Sequence, residues 1–191
     1  VFGNCKKSPM DEMHPINSQS PYAATKAAAD QLSLSYFKSF DLPIKLIRPF
    51  NTYGPRQSNR AIIPSIINQC LNNKSKEIHL GNIKPTRDLN YVEDVCAAFL
   101  EIYKTNKIFG EILNVGSKTN ISIKKLAHKI MKILNVNYKI KSSKSKIRPK
   151  KSEVDNLKCD NSKIIRMTNW SSKINLDHGL KKTIEWYKKN K

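Results

Sequence analysis

Tyr22 and Lys26 stand four residues apart in Ser20-Pro21-Tyr22-Ala23-Ala24-Thr25-Lys26, a spacing that puts both side chains on one face of a helix. A free phenol ionises near pH ~10, too high for a base at neutral pH, and an ammonium group within a few ångströms favours the phenolate. A tyrosine held that way can take the proton of a hydroxyl while hydride leaves the same carbon. The bare spacing also arises by chance in Lys-rich helices, where it is only a surface pair. The chemistry therefore depends on what the rest of the chain places beside it.

Ser20 as N-cap and Pro21 at the first helical position start that helix, an Ala-rich amphipathic run to about Ser39, and Asp41-Leu42-Pro43 closes it. Ile44 to Phe50 is short, apolar and rich in β-branched residues, as a buried parallel strand is. A polar loop, Asn51 to Gln57, leaves its C-terminal end, where open α/β sheets bind ligands. The pattern then predicts a helix over Ala61 to Asn72, a strand over Glu77 to Gly81 and a charged loop through Thr86-Arg87-Asp88. A strand over Leu89 to Val92 and a helix over Glu93 to Thr105 follow. After a strand over Glu111 to Val115, Ser122 caps a helix to Leu134. The Lys-rich stretch from Lys139 to Lys151 reads as a mobile loop. Helices over Asp160 to Met167 and Leu176 to Lys189 finish the chain, with Trp170 and Trp186 as packing anchors. Alternating strands and helices make the class α/β.

The 191 residues are 39% hydrophobic and 26% charged, a globular composition. Their apolar runs are far shorter than the ~20 residues that span a membrane. Cys5, Cys70, Cys96 and Cys159 are widely spaced and the four His match no metal motif, so reduced thiols, a cytoplasmic protein and no metal site are expected. The net charge of +20 invites a nucleic-acid reading, and 23 of the 35 basic residues follow residue 100. Only six of the 35 are Arg, whereas nucleic-acid readers favour Arg interleaved with aromatics. Solvated lysines, or a basic cleft for a diphosphate, fit the charge better.

Four ordered stretches carry more. They are Ser20 to Asp30, Ile47-Arg48-Pro49-Phe50-Asn51-Thr52-Tyr53-Gly54-Pro55, Pro85-Thr86-Arg87-Asp88-Leu89-Asn90-Tyr91-Val92-Glu93-Asp94-Val95, and Leu113-Asn114-Val115-Gly116. Over nearly its whole length the chain resembles the C-terminal part of an extended short-chain dehydrogenase/reductase of the nucleotide-sugar epimerase/dehydratase family. It is most similar to the 4,6-dehydratases, including those of the legionaminic-acid pathway, with Ser152-Glu153-Val154 and Asp160 to Lys163 supporting that branch.

The resemblance implies a Rossmann domain, a doubly wound parallel sheet binding NAD, with a smaller α/β substrate domain. Residues 1–58, with 111–116 returning to the sheet, would belong to the first, and residues 59–191 mainly to the second. It implies Tyr22 as catalytic base and Lys26 as ligand of the nicotinamide ribose. Pro49 and Thr52 would lie against the cofactor. Asn51, Arg87 and Arg148 would hold the substrate diphosphate, Asn114 would touch the nucleotide, and Arg56 or Arg60 would assist from the loop. The implied partners are a nucleotide-diphosphate sugar and a second copy in a homodimer, with no membrane and no nucleic acid.

No glycine-rich dinucleotide fingerprint occurs in the chain, and it begins Val1-Phe2-Gly3. The expectation is a piece of a longer enzyme, inactive alone, whose dehydratase Asp-Glu pair would precede Val1. A 4-epimerase therefore stays open beside the 4,6-dehydratase, as does a non-catalytic NAD- or nucleic-acid-binding protein on the same fold.

Overall fold

The computed structural model describes residues 1–72, 75–147, 149 and 152–190. Helix α1 (Pro21–Phe40) starts where the sequence predicts, with the Ser20 hydroxyl accepting from the Ala23 N–H and Asp41 closing it in the left-handed conformation. Its inward stripe is only half-buried and recurs at helical spacing as Ala23, Ala27, Asp30, Leu34 and Phe37. No residue of α1 is fully buried, and two contacts of its larger side chains tie it to the rest of the chain. Phe37 packs over Gly110, where a Cβ would collide with the ring. Asp30 receives a 2.7 Å bond from Arg48 Nε.

Arg48 lies in β1 (Leu46–Pro49), which continues past Phe50 into β2 (Asn51–Tyr53). The polar loop expected from Asn51 thus begins as a strand. Helix α2 (Ile62–Asn72) and β3 (Glu77–Leu80) follow as predicted. The charged loop holds a short strand, β4 (Thr86–Arg87), before β5 (Leu89–Tyr91) and helix α3 (Val92–Lys104). Next come β6 (Ile112–Val115), β7 (Ile121–Ser122) and α4 (Ile123–Leu134), where the Ser122 hydroxyl caps Lys125 N–H.

The Lys-rich stretch is not simply a loop, because Lys139–Ser142 is a strand, β8. Its alternation of exposed lysines with half-buried Ile140 is a strand pattern that the lysine count hides. Helices α5 (Ser162–Met167) and α6 (Leu176–Lys189) end the chain.

Pairing is mostly parallel: β1 with β6, β2 with β5 and β3 with β8, while β4 pairs antiparallel with β7. The chain from Leu46 to Tyr53 thus changes partner at Phe50, whose N–H still donates to Val115. On the β1–β6 pair lies a core of Leu113, Val115, Ile108, Ile164 and Trp170 with Val95, Ala98 and Ile102 of α3. A larger core gathers α2, α4 and α6 on β2, β3 and β5, with Trp186 half-buried against it. Buried Asp94 ties the C-terminal segment down, its Oδ2 accepting from Ser172 Oγ, Lys173 N and Ile174 N at 2.9–3.1 Å. No helix among the described residues is long and apolar enough to cross a membrane.

Candidate active site

Two cavities meet at the change of partner after Phe50. The first, about 420 Å³, is lined by Tyr22, Ala23, Arg48, Pro49, Phe50 and Asn51 among others. Tyr22 is 71% exposed, and Lys26 Nζ stands 5.6 Å from its ring centroid. The expected pair is therefore assembled on the solvent side of α1, at the mouth of a cleft whose floor carries exposed Pro49. Arg48 is 7% exposed, and its Nη1 is buried without a hydrogen-bond partner among the described residues. A buried guanidinium N–H left so is costly, and this one belongs to a residue lining the cleft that holds Tyr22. The cleft thus offers the phenol of Tyr22, the Asp30-paired Arg48 and the apolar ring of Pro49, with Lys26 beside Tyr22 on α1, a set that fits the nicotinamide end of a dinucleotide.

The second cavity, about 780 Å³, is lined by Asn51, Thr52, Arg60, Arg87, Lys146 and Glu153 among others. Asn51 lines both cavities, and its Nδ2 donates to the Asp88 carbonyl at 3.2 Å. Arg87 is anchored from several sides: Nη1 donates to the Thr86 and Val154 carbonyls at 2.9 and 2.7 Å, and Nη2 to Glu153 Oε1 at 3.2 Å. Three cations around one space suit a ligand with more than one negative charge.

Asp88 does not pair with Arg87. Fully buried, it accepts at Oδ1 from Ser117 N and Oγ at 2.8 and 2.7 Å, and at Oδ2 from Cys159 N at 3.0 Å. It therefore ties the turns after β6 and before α5 to the strand that carries Arg87. Burial pushes its carboxyl above the ordinary 3.8, against the opposing pull of the Ser117 and Cys159 bonds. The folded protein then holds this proton more tightly than the unfolded chain, so Asp88's contribution to stability falls as pH rises from about 3.8 through the raised value. In chemical denaturation at stepped pH, the stability of the wild type relative to Asp88→Asn should decline across that window. A rising difference would contradict it.

The remaining expected residues fall out differently. Thr52 lines the Arg87 cavity, and its hydroxyl donates to the Phe50 carbonyl at 3.3 Å. It is not among the residues lining the cleft with Tyr22 and Pro49. Arg60 lines the Arg87 cavity, whereas Arg56 lines a separate hollow with Trp186 and Tyr187 and is not brought to the site. Asn114 lines none of these spaces. It is fully buried in β6, its N–H donating to Glu12 Oε1 at 2.8 Å and its Nδ2 to the Met10 carbonyl at 3.2 Å. Arg148 lies outside the described residues.

Three residues at the site had no role assigned from sequence. Asp30 stands four residues after Lys26, and Arg48 is the one charge between Leu46 and Phe50. A lone charge in an apolar strand is the signal of a buried ion pair. Glu153 is the third; in the sequence it stands within Ser152-Glu153-Val154, which supports the dehydratase branch but gives it no role.

The profile of the family described as GDP-mannose 4,6 dehydratase matches residues 1–183. The dTDP-D-glucose 4,6-dehydratase of Bos taurus is 33% identical over 196 residues, covering 100% of this chain and 54% of that protein. The crystal structure of dTDP-glucose 4,6-dehydratase from Bacillus anthracis in complex with NAD is 27% identical with a TM-score of 0.90, covering 100% of this chain and 59% of that one. UDP-glucuronic acid 4-epimerase from Bacillus cereus, in complex with UDP-glucuronic acid and NAD, is also 27% identical, with a TM-score of 0.89 and the same coverage. The chain spans about half the length of the curated relatives it matches. The expected α/β class, the C-terminal part of a Rossmann-type fold with further α/β structure, is borne out by these likenesses.

Proposed function

The chain belongs to the GDP-mannose 4,6 dehydratase family, and from that premise we propose that the complete protein is an NAD-dependent nucleotide-sugar 4,6-dehydratase. It would convert a nucleotide-diphosphate hexose into its 4-keto-6-deoxy derivative with loss of one water. The observation that carries this reading is Asn51, which lines both the Tyr22 cleft and the Arg87 cavity. One extended ligand can then lie with its sugar toward Tyr22 and its diphosphate toward Arg87.

Tyr22 and Lys26 would hold the nicotinamide end of NAD, and Pro49 lines the same cleft as Tyr22. NAD, when bound, supplies a hydride acceptor at C4 of the sugar and a hydride donor at C6. Tyr22 takes the proton of the C4 hydroxyl. Asn51 and Arg87, with Arg60, orient the substrate through its diphosphate, which suits a guanidinium fork better than an ammonium. Residues 1–58 and 111–116 belong to the NAD-binding domain in this proposal and residues 59–191 mainly to the substrate domain, with α3 and α5 packed on the β1–β6 pair.

A second copy is the proposed partner. Leu32, Tyr36 and Phe40 recur every four residues on the outward face of α1 and are exposed, and such a stripe is a docking surface.

The likeness to a 4-epimerase favours a second reading, inversion at C4, which uses Tyr22 and Lys26 alike. Incubating the complete protein with a panel of nucleotide hexoses and weighing the products by mass spectrometry separates the two. Loss of one water's mass is the expected result. A product of unchanged mass with inverted C4 would replace the dehydratase reading by the epimerase, and no product from any hexose would remove both.

A further inference from the structure

We propose that Glu153 is a displaceable counter-ion built into the anion site, its carboxylate occupying Arg87 Nη2 until a diphosphate takes its place. The proposal rests on the reading of Arg87 as a diphosphate clamp. The Arg87 and Glu153 side chains are each 14% exposed, and both line the 780 Å³ cavity. The guanidinium does not need the carboxylate to hold its plane, because Nη1 is fixed by the Thr86 and Val154 carbonyls at 2.9 and 2.7 Å. The Nη2 to Glu153 bond is 3.2 Å, longer than the ~2.7–2.9 Å of a well-formed charge-assisted bond. Of the bonds named, it is the one that exchanges most cheaply.

Glu153 is also the one carboxylate among the described residues lining this cavity, against Arg60, Arg87 and Lys146. Glu153 brings a negative charge to this half-buried guanidinium, which offsets part of the cost of its desolvation. A diphosphate that enters brings its own charge to Nη2. It then meets Glu153 as a like charge at close range, so part of the binding free energy goes into pushing that carboxylate aside. The substrate clamp is thereby weaker than its three cations alone would make it, which lets a nucleotide product leave.

Titration calorimetry of the complete protein with inorganic pyrophosphate at fixed low salt tests this, since the probe carries the charge and nothing else. Glu153→Gln should bind pyrophosphate roughly fivefold to tenfold more tightly than wild type. Glu153→Asp keeps the charge but withdraws it from Nη2, so it should tighten binding by a smaller factor, and it serves if the Gln variant folds poorly. The gain should vanish when either change is combined with Arg87→Ala. Unchanged or weaker binding by both Glu153 variants would overturn the proposal. A different result, in which Arg87→Ala alone binds pyrophosphate as wild type does, would instead remove the clamp reading on which it rests.

Discussion

Replacing Tyr22 by Phe should lower the kcat of the complete protein by roughly 10²- to 10⁴-fold, the usual worth of a general base. The change removes one hydroxyl from a side chain that is 71% exposed, so neither folding nor packing of α1 should suffer. Binding of NAD and of the nucleotide sugar should persist, because Arg87, Arg60 and Asn51 are untouched. The loss would then sit in kcat with KM little moved, the pattern of an interaction made in the transition state. Turnover within a few-fold of wild type would take Tyr22 out of the mechanism.

Lys26→Met should be nearly as damaging, on the order of 10²-fold in turnover. The ammonium stands 5.6 Å from the Tyr22 ring centroid and is assigned to the nicotinamide ribose, so NAD should bind more weakly as well. Near-wild-type turnover together with unchanged NAD affinity would reduce Lys26 to an exposed residue of α1.

Much of the fold was legible in the sequence, because its elements carry local signals. Ser20 and Ser122 cap the helices they were expected to cap, and the passages from β5 to α3 and from α3 to β6 follow a change of apolar period. The misread pieces are short strands whose partners lie far off in sequence. Asn51–Tyr53 pairs with Leu89–Tyr91, Thr86–Arg87 with Ile121–Ser122, and Lys139–Ser142 with Glu77–Leu80. Two or three polar residues become a strand only because a distant segment satisfies their backbone.

The candidate site divides along the same line. Tyr22 and Lys26 belong to one helix, so their spacing alone brings them together. Asn51, Arg60 and Arg87 lie on three different segments, and their convergence was expected from resemblance rather than from spacing. The neighbours of Asn114 in sequence do not reveal that it bonds to Met10 and Glu12. The Asp30–Arg48 pair, at 15% and 7% exposure, ties α1 to β1 and so sets where Tyr22 stands at the cleft.

If one ligand bridges the Tyr22 cleft and the Arg87 cavity past Asn51, a crystal structure of the complete protein with NAD and a nucleotide hexose should show it. The sugar C4 hydroxyl should lie within hydrogen-bond reach of Tyr22 Oη and the diphosphate on Arg87, with Asn51 beside the chain of atoms between them. A nucleotide sugar seated away from Tyr22, or a diphosphate making no contact with Arg87, would rule the bridging ligand out.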